Sequence, residues 1–156
     1  TDSLQLSELT THRGHWLDLG SGGGFPGIVI AIWAKHNAPE LRITLVESDA
    51  RKSAFLLHVI GIYELNASVL TQRIESLSDC AADVISARAL APLSDLLGFS
   101  ENFLLEGGVC LFPKGKSFKE EIESAKKEWS FDHDVIQSRT SPDAAILRIR
   151  NVSRAE

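Results

Sequence analysis

The chain has 156 residues, 44% of them hydrophobic, and a formal net charge of −5. This length supports one good core with little left for a second, so residues 1–156 read as a single domain. No run is apolar and long enough to cross a bilayer, nothing resembles a signal peptide, and the acidic balance on its own disfavours a nucleic-acid partner.

In chain order, residues 3–9 read as the tail of a helix, followed by a strand at 15–19 and a glycine-rich turn. Further strands are expected at 42–47, 67–71, 83–87, 108–113, 131–137 and 144–150, with helices at 26–36, 50–63, 91–104 and 116–128. Strands alternating with helices predict a parallel sheet covered on both faces. Only the link from Ser138 to Asp143 separates the last two strands, so these should pair as an antiparallel hairpin. The expected fold is α/β and Rossmann-like: a mostly parallel seven-stranded sheet closed by a C-terminal antiparallel hairpin. That combination is typical of class I methyltransferases rather than of dehydrogenases.

The turn after the first strand carries the most information. Trp16-Leu17-Asp18-Leu19 ends in Gly20-Ser21-Gly22-Gly23-Gly24-Phe25-Pro26-Gly27, and an apolar helix follows. Gly20, Gly22 and Gly24 permit positive φ and let a ligand approach the backbone, and Pro26 suits the first helical position. The run Gly22 to Gly27 satisfies G-x-G-x-x-G, a weak signal for a dinucleotide by itself. The register, with the strand ending at Leu19 and Gly20, fits Asp-x-Gly-x-Gly-x-Gly better, the loop that holds S-adenosylmethionine. The next strand ends at Glu47, placed to accept hydrogen bonds from both ribose hydroxyls of either nucleoside. Two further readings stay open: an NAD-binding oxidoreductase domain, and a non-catalytic cofactor-binding module.

The remaining polar residues sort by position. Arg88 ends the fourth strand, and Lys114 and Lys116 follow the fifth. They are expected on the rim of the ligand crevice, where their field would favour an anionic substrate. Lys126 and Lys127 lie farther on, as solvated helix residues, and Lys119 is either one of these or part of the rim. Cys80 and Cys110 form no C-x-x-C pair and read as ordinary thiols in a reducing cytoplasm, without a metal or a disulfide. His12, His15, His36, His58 and His133 fall at no position that connects to chemistry.

Leu17 to Gly27, together with Glu47, Arg73-Ile74-Glu75, Ile85-Ser86-Ala87-Arg88-Ala89 and Phe112-Pro113-Lys114-Gly115, resembles the RsmG/GidB family of bacterial enzymes. The resemblance runs from about Asp2 to Ile149, without the N-terminal helical extension that family members carry. It implies methylation of N7 of a guanine in 16S rRNA with S-adenosylmethionine, on free 16S rRNA or the small ribosomal subunit. It also implies cofactor contacts at Gly20 and Phe25, an adenine flanked by Ile74 and Glu75, and an arginine, Arg88, reaching the cofactor. Alternatives stand beside some of these roles. Asp18 stabilises the loop or meets the methionine amino group; Ile74 is a core residue or an adenine contact; Arg88 is in a structural ion pair or at the site; Phe112 is core or stacks on the base.

The chemistry agrees with this pattern. Guanine N7 presents an in-plane lone pair and carries no proton, so methyl transfer to it requires no general base, and alignment can supply the rate. Arg88 is then the one candidate for a direct catalytic part. Because N7 is the reacting atom, guanine has to be distinguished by stacking and by its Watson–Crick edge.

Overall fold

Strands β1 (His15–Leu19) and β4 (Ala82–Ala87) are buried at nearly every position, which explains why both read as apolar runs rather than alternating ones. A computed structural model describes residues 2–88 and 90–156; Ala89, the last residue of the Ile85–Ala89 segment singled out above, lies outside the described residues. Among the described residues the strands form one sheet, completed by β2 (Arg42–Val46), β3 (Ala67–Leu70), β5 (Leu104–Lys114), β6 (Trp129–Gln137) and β7 (Ala145–Arg154). Their order is β3-β2-β1-β4-β5-β7-β6. Strands β1 to β5 pair in parallel, and β7 runs antiparallel between β5 and β6, as expected of the terminal hairpin.

The helices are α1 (Asp2–Gln5), α2 (Gly27–Asn37), α3 (Ala50–Tyr63), α4 (Leu93–Glu101) and α5 (Phe118–Ala125), with a one-turn 3-10 helix at Leu6–Leu9 continuing α1. Successive strand residues feed opposite faces. Trp16, Leu45, Val84 and Leu111 pack with Ile30 and Ala34 of α2 and with Leu6, whereas Leu17, Leu19, Ile85 and Phe112 pack with Leu93, Leu96 and Leu97 of α4. The N-terminal segment is also tied to the β6–β7 turn: Gln5 Nε2 donates to Gln137 O at 2.9 Å, and Arg139 pairs with Glu8.

Several boundaries differ from expectation. Helix α4 begins at Leu93, because Pro92 is extended (ψ 154°), and it ends at Glu101. Helix α5 stops at Ala125, where residues 126–128 form a turn, and β5, β6 and β7 are each longer than their apolar cores. Register shifts between Ala82 and Val84 and between Ser130 and Asp132 mark where this extra length is accommodated. Pro26 adopts helical angles (φ −82°, ψ −15°) but sits just before α2, after a cis Phe25–Pro26 bond.

The chain leaves β1 toward β2 and β3 on one side and returns at β4 on the other. The strand order therefore reverses between β1 and β4, and the crevice outside their carboxyl ends is the default ligand site of an open α/β sheet. No helix among the described residues is long and apolar enough to cross a membrane.

Candidate active site

The glycine turn is held from beneath by a buried carboxylate. Asp18 and Ser86 are register partners on β1 and β4, on the face that α2 covers. Ser86 Oγ donates to Asp18 Oδ1 at 2.6 Å and accepts from Trp16 Nε1 at 2.8 Å. Ser21 Oγ (2.8 Å) and Gly27 N (3.2 Å) donate to Oδ2. With no solvent exposure, Asp18 has its pKa pushed up to about 6 by desolvation, against the lowering effect of these hydrogen bonds. One oxygen holds the loop and the other ties β1 to β4, so of the two roles left open for Asp18 this arrangement supports loop stabilisation.

Gly27 lets α2 start close against the sheet. A Cβ there would overlap Leu45 Cδ2 and stand 2.5 Å from Asp18 Oδ2. Above this base the turn is left-handed at Gly20, Gly22 and Gly24 (φ +66°, +50° and +102°), and Phe25 at its tip is 51% exposed.

Glu47 faces the loop across a short gap. Gly22 N donates to its Oε1 at 2.7 Å and Asp49 N to its Oε2 at 2.8 Å. Asp49 in turn caps α3 by accepting from Arg51 N and Lys52 N. A Cβ on Gly22 would meet nothing closer than 3.7 Å, and one on Gly23 nothing within 4 Å. The space beside Gly22 and Gly23 is therefore open, and a carboxylate oxygen of Glu47 with one amide donor retains a lone pair for a sugar hydroxyl. These residues fit a nucleoside cofactor.

The adjoining wall belongs to β4, β5 and α5. Leu90 packs over Gly20, where its Cδ1 lies 2.8 Å from the position of a Cβ. Beside it opens a cavity of about 590 Å³ whose lining includes Arg88, Pro92, Pro113, Lys114 and Glu121. Arg88 is exposed and has no ion pair among the described residues. Lys114 differs from the expectation of a solvated rim cation. Its side chain is 7% exposed, and its Nζ donates to Ala91 O and to Glu121 Oε1, both at 2.9 Å. Lys116, two residues on, is exposed.

The chain matches the GidB family, rRNA small subunit methyltransferase G, over residues 1–147. It belongs to that family. A Ruegeria sp. protein named ribosomal RNA small subunit methyltransferase G is 48% identical over 153 residues, 98% of this chain and 75% of the relative. One of the same name from Cereibacter sphaeroides is 50% identical over 150 residues, 96% of this chain and 73% of its own. The fold is shared with M. jannaschii TYW2, solved in complex with AdoMet. That match has a TM-score of 0.71 at 14% identity and covers 99% of this chain and 75% of the other.

In this GidB member, the residues named from the sequence on the cofactor side fall after the carboxyl ends of β1, β2, β3 and β4, with Ile74 and Glu75 lining one cavity and Arg88 another. Glu47 N donates to Leu70 O, so the end of β3 lies next to Glu47, and the 3-10 turn Ile74–Ser76 follows it in the chain. Ile74 is half-buried against the α4 side of the core and Glu75 is exposed. Both border a second cavity of about 810 Å³, which runs down the flank past Cys80 to Phe99, away from the glycine turn. Phe112 is fully buried, so it is a core residue and not a stacking surface. Cys110 is equally buried, its thiol pushed up to about 12 by desolvation.

The histidines hold structure where they make contacts. His15 bridges Ala81 O and Thr44 Oγ1 at the amino-terminal edge of the sheet, and His12 packs edge-on against Trp33. Four roles were not assigned from the sequence: Trp16 and Ser86 in the hydrogen-bond chain to Asp18, Gly27 as a packing residue, and Glu121 as the partner of Lys114. The alignment of Asp18 with Ser86 on neighbouring strands was the available signal for one of them.

Proposed function

We infer that this chain is an S-adenosylmethionine-dependent methyltransferase that acts on N7 of a guanine in 16S rRNA. The observation that carries this reading is Glu47, hydrogen-bonded to Gly22 N of the glycine turn at the reversal of strand order. The GidB match and the names of its relatives supply the rRNA substrate. Bound S-adenosylmethionine would supply an electrophilic methyl group on its sulfonium.

The chain's own residues would bind and align. Glu47 would accept from the ribose hydroxyls, the Gly20–Gly24 backbone would give close approach, and Phe25, Ile74 and Glu75 would border the nucleoside. Arg88, unpaired among the described residues, lines the acceptor cavity from the strand that faces the turn. Lys116 would meet phosphate, and Lys114 would hold the wall of the cavity. N7 attacks through its own lone pair, so positioning at near-attack distance provides the acceleration and no side chain need take a proton.

The test is transfer of a labelled methyl group to small ribosomal subunits or naked 16S rRNA, followed by nucleoside analysis. Label in 7-methylguanosine is expected. Saturable NADH binding without methyl transfer would favour an oxidoreductase instead.

A further inference from the structure

Glu121 lies in the first turn of α5 and lines the 590 Å³ acceptor cavity together with Arg88, Pro92 and Pro113. Its Oε1 is fixed by two donors, Lys114 Nζ at 2.9 Å and Leu93 N at 3.0 Å. Among the described residues its Oε2 accepts no hydrogen bond, and the side chain is 26% exposed. The cavity therefore combines apolar walls from Leu90, Pro92 and Pro113, the Arg88 guanidinium, and one immobilised carboxylate with an uncommitted oxygen, and Leu90 joins it to the neighbouring cofactor turn through Gly20.

We propose that Glu121 selects the acceptor base, its Oε2 accepting hydrogen bonds from guanine N1–H and the exocyclic 2-amino group. The proposal rests on the guanine-N7 reading above. A guanine with N7 toward the glycine turn directs the opposite edge, with its two adjacent donors, into the far side of the cavity. Adenine would bring a lone pair at N1 and a C–H at C2 to the same place, and a carboxylate repels the first and gains nothing from the second. A site built to hydrogen-bond a donor rejects an analogue lacking it more strongly than an apolar pocket can. Lys114 is then a positioning residue that holds Oε1 and offsets the charge of the carboxylate inside the wall.

The experiment measures single-turnover methyl transfer to small-subunit rRNA with either guanine or inosine at the methylated nucleotide. Inosine keeps N7, O6 and N1–H and lacks the 2-amino group. The wild-type protein is expected to be about tenfold slower on inosine. Glu121→Ala is expected to be about a hundredfold slower on guanine, with the guanine-to-inosine ratio collapsed to near one. Its affinity for S-adenosylhomocysteine, measured by calorimetry, is expected to stay within about twofold of wild type. Glu121→Gln, which keeps an acceptor for Leu93 N, provides the same comparison if the alanine variant fails to fold. The wild-type ratio needs no variant at all.

A wild-type ratio near one, or a ratio unchanged by substitution at Glu121, overturns the proposal while leaving the methyltransferase reading intact. Absence of any methyl transfer to guanine-containing rRNA overturns both.

Discussion

On the β1–β2 side of the crevice, carboxylates answer backbone amides. Glu47 takes Gly22 N and Asp49 N, and Asp18 takes Gly27 N along with two serine hydroxyls. On the β4–β5 side, the carboxylate of Glu121 answers a buried ammonium, and the pair anchors the β4–α4 connection at Ala91 O and Leu93 N. The first wall is built from two short stretches of chain, tied to β4 through Ser86, and cannot shift without breaking the turn. The second is assembled from side chains on three elements, so its chemistry can change while the fold persists. Damage on the first side should therefore reach stability and cofactor binding together, whereas damage on the second should reach the acceptor alone.

The most severe test of the rigid wall is Gly27→Ala. The new methyl group would press into Leu45 and the Asp18 carboxylate, both fully buried, so neither can swing away. Overpacking of this kind costs about 3 kcal/mol, and urea denaturation should show that loss. A variant as stable as wild type would mean that α2 can slide on the sheet, and the contrast between the two walls would fail.

Asp18 tests the same wall through pH. Its folded pKa of about 6 lies above the ordinary value of 3.8, so in this interval the native state binds more protons than the unfolded chain. Below pH 3.8 both states are protonated and Asp18 imposes no penalty; as pH rises from there to 6 its contribution becomes steadily unfavourable, reaching about 3 kcal/mol. Chemical denaturation across that range should show this descent, and Asp18→Asn should lack it. A slope identical in both proteins would place the titration elsewhere.

Glu47→Ala removes the acceptor shared by the turn and the sugar. S-adenosylhomocysteine affinity should fall about a hundredfold in calorimetry, in line with loss of hydrogen bonds to a charged group. Unchanged affinity would remove the observation on which the cofactor assignment stands.

How much of this was legible in the sequence follows the same division. The turn, Glu47 and the terminal hairpin could be read because each is written in a contiguous stretch, where glycine spacing and a strand end have local physical meaning. Lys114 looked like a rim cation because its partner, Glu121, lies on the next element, and sequence spacing does not reveal which way a side chain turns. The Ser86 to Asp18 bond spans 68 positions and depends on strand register, which composition does not set. The starts of β5 and β6 were placed too late for a related reason. Ladder pairing extends past the apolar core into Leu104-Leu105-Glu106 and Trp129-Ser130, where side chains carry little periodic signal.

The smallest effect belongs to the exposed rim. Lys116 is solvated and has no ion pair among the described residues, so Lys116→Ala should leave stability and S-adenosylhomocysteine affinity unchanged. If the side chain meets one phosphate of single-stranded rRNA, its removal releases about one fewer counterion, and the slope of log affinity against log salt should fall by about 0.7. The loss of affinity should be about two- to threefold near physiological salt and should not depend on the base at the methylated nucleotide, because a phosphate contact carries no sequence information. This sets Lys116 apart from Glu121, whose removal should change base preference and leave the salt slope alone. A salt slope unaltered by Lys116→Ala would mean that the rRNA backbone crosses the β4–β5 wall without touching this lysine.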